Sequence, residues 1–125
     1  MNYDEAHDDL DELPPRPRKT IPADDRELLE LAARALGAVR VEGVDGELWL
    51  NLHFADGTVV HGWNPLLFYG DTFELAVGLN LKVDICSIGI SAGDVDILFS
   101  GENKLTAAAR AVVRAAAEIG KAMAC

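Results

Sequence analysis

The sequence predicts a small α+β domain in which an antiparallel sheet of two β-hairpins is covered by three helices, in the order α-β-β-α-β-β-α. Two hydrophobic periods carry this prediction. Apolar residues recur every three or four positions near both ends of the domain, and they alternate with polar residues around positions 47–63 and 81–99. With 125 residues the chain is long enough for one domain with its own core. We therefore expect residues 22–125 to form a single domain.

The first helix is predicted over residues 24–36. Apolar residues recur there at helical spacing, namely Leu28, Leu31, Ala32, Ala35 and Leu36. Asp24 is expected to cap the amino end of this helix, with Glu27 completing a capping box. Gly37 can adopt the left-handed conformation that ends a helix.

The first hairpin is predicted from strict alternation. Leu48, Leu50, Leu52 and Phe54 point one way, and Glu47, Trp49, Asn51 and His53 point the other, which is typical of a strand with one buried face. The Asp-Gly pair at 56–57 supplies the turn and residues 58–63 the returning strand. Residues 39–42, with the glycines that follow, are interpreted as a short strand or a turn.

The first hairpin ends at the motif Trp63-Asn64-Pro65-Leu66. Asn64 precedes a proline and Pro65 has no amide hydrogen, so the strand ladder stops there. We interpret Trp63 as a core plug and expect its indole and the Asn64 amide to pin the loop by hydrogen bonds to backbone; the alternative is a ligand pocket. Asp71 or Thr72 is expected to cap a second helix over residues 71–80.

The remaining elements are a second hairpin and a long last helix. Residues 81–88 and 95–99 alternate around a turn at 92–94, which makes Cys86 a small core residue. The last helix has an apolar stripe at steps of three and four, made of Leu105, Ala108, Ala109, Val112, Val113, Ala116, Ile119 and Met123. Its opposite face carries Arg110, Arg114, Glu118 and Lys121.

The charge balance bears on the class of partner. The formal net charge is −10, from 11 basic and 21 acidic residues, which argues against direct nucleic-acid binding and favours a partner with a basic surface. The first residues are acidic where a secretory signal would be basic, and no apolar run is long enough for a membrane span. Two cysteines, Cys86 and Cys125, make no disulfide framework. We expect a cytoplasmic protein.

Residues 1–21 are predicted to be a flexible extension, acidic and then rich in proline and arginine. Its carboxylates are Asp4, Glu5, Asp8, Asp9, Asp11 and Glu12. They are interpreted either as a solvated tail or as an imitation of spaced phosphates that occupies a basic nucleic-acid groove on a partner. Phe68 and Tyr69 belong to a run of four large apolar residues that cannot all face inward, so they are expected to form a partner-binding surface patch.

Three blocks of sequence together resemble a family of small phage and prophage proteins of the NinX-like type. They are residues 25–34, the Trp-Asn-Pro-Leu motif with Gly70-Asp71 and residues 75–77, and residues 108–120. The resemblance spans most of residues 24–124 and implies a phage accessory protein in the cytoplasm of a bacterial host, without an active site to carry over. Leu67, Phe68 and Tyr69 stand where the family usually has polar residues.

The expected function is binding and inhibition of a host protein, such as a CRISPR effector or another nucleic-acid-binding defence factor. One alternative is a homo-oligomer that pairs copies through the alanine-rich last helix and an open sheet face, a homodimer being the simplest form. A second is a small metal-dependent or Cys/His enzyme using His53, His61 and Cys86. No cofactor, catalytic residue or metal ligand is predicted for the expected function.

Overall fold

The computed structural model describes residues 20–44, 46–100 and 103–123. In these residues three helices and two three-stranded antiparallel sheets form an α+β domain, which confirms the predicted class. The elements are α1 (Ala23–Ala35), β1 (Ala38–Gly43), β2 (Leu50–Phe54), β3 (Val59–Trp63), α2 (Tyr69–Gly78), β4 (Val83–Ile85), β5 (Gly89–Ala92), β6 (Val95–Leu98) and α3 (Lys104–Met123). The prediction of a single sheet from two hairpins is wrong in its strand count and in its number of sheets. Each predicted hairpin has a third strand, and the two sets of strands form separate sheets.

Helices α1 and α3 pack closely together in the core. Arg110 Nη1 donates to Asp25 Oδ1 at 3.2 Å, and Gly120 faces the backbone of Leu31, so the two helices run in the same direction. The buried residues of α3 are mostly small: Ala107, Ala109, Ala111, Val112, Val113, Ala115, Ala116, Ala117 and Gly120. Small side chains let neighbouring backbones approach closely. These alanines are buried against other elements of the same chain.

The apolar stripe predicted for the last helix is only partly correct. Its alanines and valines are buried or half-buried, but the large residues Leu105, Ile119 and Met123 are exposed. Helix α3 itself has small residues on several sides, because α1, α2 and the second sheet all pack against it. In the described parts of the chain, no helix combines the length and apolar character that crossing a bilayer requires.

The start of α1 also differs from the prediction. Pro22 occupies the position before the helix and no side chain caps it, so the predicted capping box of Asp24 and Glu27 is wrong. Proline suits a helix start because its missing amide hydrogen would have no helical acceptor there. The end is as predicted: Gly37 has a φ of +103° and its amide donates to the Arg34 carbonyl.

The first sheet has β2 between β1 and β3, and the segment at residues 39–42 is a full strand. Leu52 is buried between Val41 and Val60, whereas His53 lies on the outer face, which confirms the predicted alternation. The register of β3 shifts at Gly62, where φ is +71°. A bulge adds one residue and reverses the alternation. Trp63 therefore points into the core instead of sharing the outer face.

The second sheet has β5 between β4 and β6, and the prediction of one strand over residues 81–88 is wrong. The chain turns after Ile85 and returns as β5, which begins at Gly89. A side chain at Gly89 would bring its Cβ to 2.6 Å from the Ile97 carbonyl oxygen of β6. Cys86 lies in this turn and is exposed, so it is not a core residue.

Candidate functional site

The most prominent concave surface lies between α2, β4 and the first half of α3, and we call it the α2–α3 groove. Its volume is about 710 Å³. The lining residues are Tyr69, Thr72, Phe73, Ala76, Val77, Asn80, Leu81, Val83, Leu105, Ala108, Ala109 and Val112. None of these twelve described residues carries a formal charge at pH 7. The groove is therefore an apolar surface with few polar groups.

Large apolar side chains stand exposed at the rim of the groove. On α2, Tyr69, Phe73 and Val77 follow one another at intervals of four residues, so they form one stripe along the helix. Phe73 is 72% exposed and Val77 59%, and Leu105 on α3 is 57% exposed. The less exposed lining residues are three alanines and four somewhat larger residues, namely Ala76, Ala108, Ala109, Thr72, Leu81, Val83 and Val112. This arrangement leaves an unfilled depression beside projecting side chains.

Helix α2 is held in this orientation by the Trp-Asn-Pro motif. Asn64 is only 2% exposed, and its Nδ2 donates to the Leu48 carbonyl at 2.6 Å while its Oδ1 accepts from the Leu66 amide at 2.9 Å. Its own amide donates to Asp71 Oδ2 at 2.9 Å. The side chain of Asn64 thus joins the segment before β2 to the loop before α2, and Asp71 ties the first turn of the helix to that loop.

The predicted caps of the second helix are wrong. Helix α2 begins at Tyr69, two residues earlier than expected, and no side chain caps it. Asp71 lies in the first turn and accepts from the Asn64 amide, while the Thr72 hydroxyl donates to the Pro65 carbonyl. Pro65 and Trp63 are buried. One joint between the first sheet and α2 therefore contains the four predicted structural residues and Thr72, namely Trp63, Asn64, Pro65, Asp71 and Thr72.

Phe68 and Tyr69 are both partly exposed but face different surfaces. Tyr69 lines the α2–α3 groove, whereas Phe68 lines a smaller depression of about 240 Å³ with Leu67 and Trp49. The Tyr69 hydroxyl lies 3.5 Å from Thr106 Oγ1, too far for a strong hydrogen bond. The predicted patch is thus split.

Three principal groove residues, Phe73, Val77 and Leu105, were absent from the predicted patch. A signal for two of them was present in the sequence. Helix α2 carries Leu75 and Leu79 on its inner side and the Tyr69-Phe73-Val77 stripe on the other, so it has two apolar sides. A helix that packs against the core with one face and is otherwise exposed to solvent needs only one apolar side. Leu105 could not be assigned, because it belongs to a helix far away in sequence.

The residues of the enzyme alternative are spread over two sheets. His53 Nε2 donates to Glu42 Oε1 at 3.1 Å on the outer face of the first sheet, and Arg40 Nη2 lies 3.2 Å from the same ring nitrogen. This hydrogen bond and then the Arg40 charge hold the pKa of Glu42 below its usual value. His61 is exposed on β3, and Cys86 lies in the turn between β4 and β5 of the second sheet. Among the described residues, no three His, Cys, Asp or Glu side chains are placed to hold a metal ion.

Comparison of the chain with protein-family models, with curated proteins and with solved structures found no match. The resemblance to the NinX-like family therefore stays a prediction. The predicted partner-binding carboxylates Asp4, Glu5, Asp8, Asp9, Asp11 and Glu12 lie outside the described residues. The α2–α3 groove, in contrast, is lined entirely by residues that the structure describes.

Proposed function

We propose that this chain is a protein-binding domain and that the α2–α3 groove is its binding surface. The observation that carries the proposal is an uncharged apolar groove whose rim exposes 72% of Phe73. Contiguous apolar patches with projecting aromatic side chains are typical of interaction sites, and the centres of protein interfaces are depleted in charge. Exposure of single apolar residues would not support this proposal, but here they surround one depression.

The dimensions of the groove suit a protein segment. The stripe from Tyr69 to Val77 spans eight residues of helix, or roughly 12 Å along its axis at 1.5 Å per residue. Two turns of an amphipathic helix, or a short extended peptide, present three or four apolar side chains over that length. The groove would accept such side chains between Phe73 and Leu105.

Selection from a displayed random-peptide library tests this proposal. Peptides selected on the wild-type chain should be apolar, and they should bind the Phe73→Glu variant at least roughly tenfold more weakly, because a carboxylate at the rim must be desolvated. Val39→Glu is the matched control, since Val39 is 66% exposed on β1 and does not line the groove. Peptides that bind all three proteins equally, or no selected peptides from a chain that sedimentation shows to be monomeric, would refute the proposal.

The acidic surface supports a second, electrostatic binding role. On the outer face of the second sheet, Asp84 and Asp96 lie in one row on either side of Ser91, and Asp94 lies in the adjoining turn. Lys82, 3.9 Å from Asp84, is the nearby cation. With a net charge of −10, the chain is suited to a partner with a basic surface.

For this role we propose a host protein with a basic nucleic-acid site, such as a CRISPR effector, as the inhibited partner of a cytoplasmic phage protein. The exposed free thiol of Cys86 is compatible with a reducing compartment. Capture of host proteins by the intact chain and by a chain lacking residues 1–13 would test it. Retained proteins should bind nucleic acid and be released as salt rises. Retention that is insensitive to salt and to the deletion would contradict this role.

A further inference from the structure

We propose that the α2–α3 groove is filled by a second copy of this chain, in a symmetric dimer whose two-fold axis passes beside Phe73. The inference rests on the proposed function, since it names the protein that the groove binds. It leaves the acidic surfaces of both copies free on the outside.

The groove is self-complementary in shape. A two-fold interface uses the same surface on both copies, so that surface must supply both the projecting group and the depression that receives it. Phe73 projects at the rim, and beside it lie the small residues Ala76, Ala108 and Ala109. In a dimer, Phe73 of each copy would enter the depression of the other.

The spacing of the stripe fits a two-fold axis. Tyr69 and Val77 each lie four residues from Phe73, on opposite sides. When two α2 helices pack antiparallel about Phe73, Tyr69 of one copy lies against Val77 of the other, and the reverse contact forms at the same time. The three exposed side chains are then covered together.

Charge favours a second copy over a basic partner as the occupant of the groove. Two chains with a net charge of −10 repel each other, so a contact between copies is least opposed at a surface without carboxylates. The groove lining is such a surface. A basic partner, in contrast, gains nothing electrostatic from the groove and is attracted to the acidic faces elsewhere.

The exposed area is sufficient for a small stable dimer. Tyr69, Phe73, Val77 and Leu105 are 42%, 72%, 59% and 57% exposed, and together they present on the order of 400 Å² of mostly apolar surface. Complete burial of this surface in an interface that is about 65% apolar, as in homodimers, would correspond to roughly 600 Å² per copy and about 1,200 Å² in total. That total is at the lower end of the range for specific interfaces, about 1,200 to 2,000 Å².

Sedimentation equilibrium of the full chain tests the proposal. Wild type at tens of micromolar should have twice the 13.4 kDa mass of one chain. Phe73→Glu should raise the dissociation constant by at least roughly a hundredfold, because each dimer contains the changed residue twice, near the axis. Val39→Glu should leave it unchanged. Added salt should strengthen the wild-type dimer by screening the repulsion between the copies.

Cross-linking locates the axis. In a chain carrying Cys86→Ser and Cys125→Ser, the Glu74→Cys variant should form a covalent dimer with a short bismaleimide reagent, and the Val39→Cys variant should not. Glu74 is exposed next to Phe73 on α2 and does not line the groove, so this variant keeps Phe73 intact. A monomeric wild type whose groove still selects peptides would overturn the dimer but leave the protein-binding function standing. A dimer that persists in Phe73→Glu would show that copies pair through another face, and it too would overturn the inference.

Discussion

Gly120 is the residue at which the α1–α3 contact is least able to accept a side chain. A Cβ built on Gly120 would lie 1.9 Å from the Leu31 carbonyl oxygen, 2.8 Å from the Leu31 carbonyl carbon and 3.3 Å from the Ala35 nitrogen. All three atoms belong to the backbone of α1, so no side-chain rotation relieves the clash. Gly120→Ala therefore requires the two helices to separate.

The cost follows from the distance they must move. The helices would have to separate by at least roughly 1 Å, a displacement that forfeits a quarter to a half of the dispersion energy at each affected contact. Overpacking of a core typically costs about 1 to 3 kcal/mol and occasionally more. Because the clash here is with backbone that cannot rotate away, we expect a gross cost of about 3 to 5 kcal/mol. Alanine returns about 1 kcal/mol of helix propensity. We expect a net loss of about 2 to 4 kcal/mol, a large part of the roughly 5 to 15 kcal/mol of a typical domain.

Thermal and urea unfolding measure this loss. For a domain of this size the melting temperature should fall by about 10 to 20 °C. Gly70→Ala is the matched control, because Gly70 also lies in a helix but nothing is within 4 Å of its added Cβ. That variant should gain up to about 1 kcal/mol. A Gly120→Ala protein as stable as wild type would refute the helix approach described here.

Three further changes test the joint and the outer sheet face. Asn64→Ala removes two buried hydrogen bonds to backbone and should lower the free energy of unfolding by about 2 to 4 kcal/mol in urea titrations. Gly62→Ala meets no atom within 4 Å but must keep a φ of +71°, so we expect a loss of about 1 to 2 kcal/mol by the same assay. Glu42→Gln tests the lowered pKa of Glu42. Because the pKa in the folded state is below the unfolded pKa of 4.5, the ionised carboxylate stabilises the fold above pH 4.5, and this contribution is lost as the pH falls through the folded pKa. The variant should melt below wild type at pH 7, and the difference should shrink as the pH falls below 4.5. Equal melting at pH 7 would contradict a stabilising contact with His53.

The elements with a clear period were predictable, and the short ones were not. Strand β2 alternates over its whole length, so its buried face could be assigned from residues such as Leu50 and Leu52. Strand β5 has four residues and begins at Gly89, which the sequence pattern merges with the preceding strand. Its identity depends on the close approach of Gly89 to the Ile97 carbonyl, a contact between strands that no local pattern contains.

The groove was only partly predictable for a related reason. The run ending at Tyr69 contains too many large apolar residues for one turn, and this local excess correctly indicated exposed side chains, although Phe68 and Tyr69 line different surfaces. Which residues line the depression depends on which side of α3 faces α2. Helix α3 is apolar on several sides, so the residues that face α2 follow from packing rather than from the period of the helix.

The Trp-Asn-Pro joint connects the fold to the groove through the orientation of α2. The bulge at Gly62 turns Trp63 into the core, and Asn64 then fixes the loop to the segment before β2. Because Asp71 accepts from the Asn64 amide, the first turn of α2 cannot rotate about its axis without breaking that bond. This rotation decides that Leu75 is buried and Phe73 is exposed. Asn64 therefore helps to set the shape of the α2–α3 groove, although it does not line that groove. The proposed binding function thus depends on a residue whose role is structural.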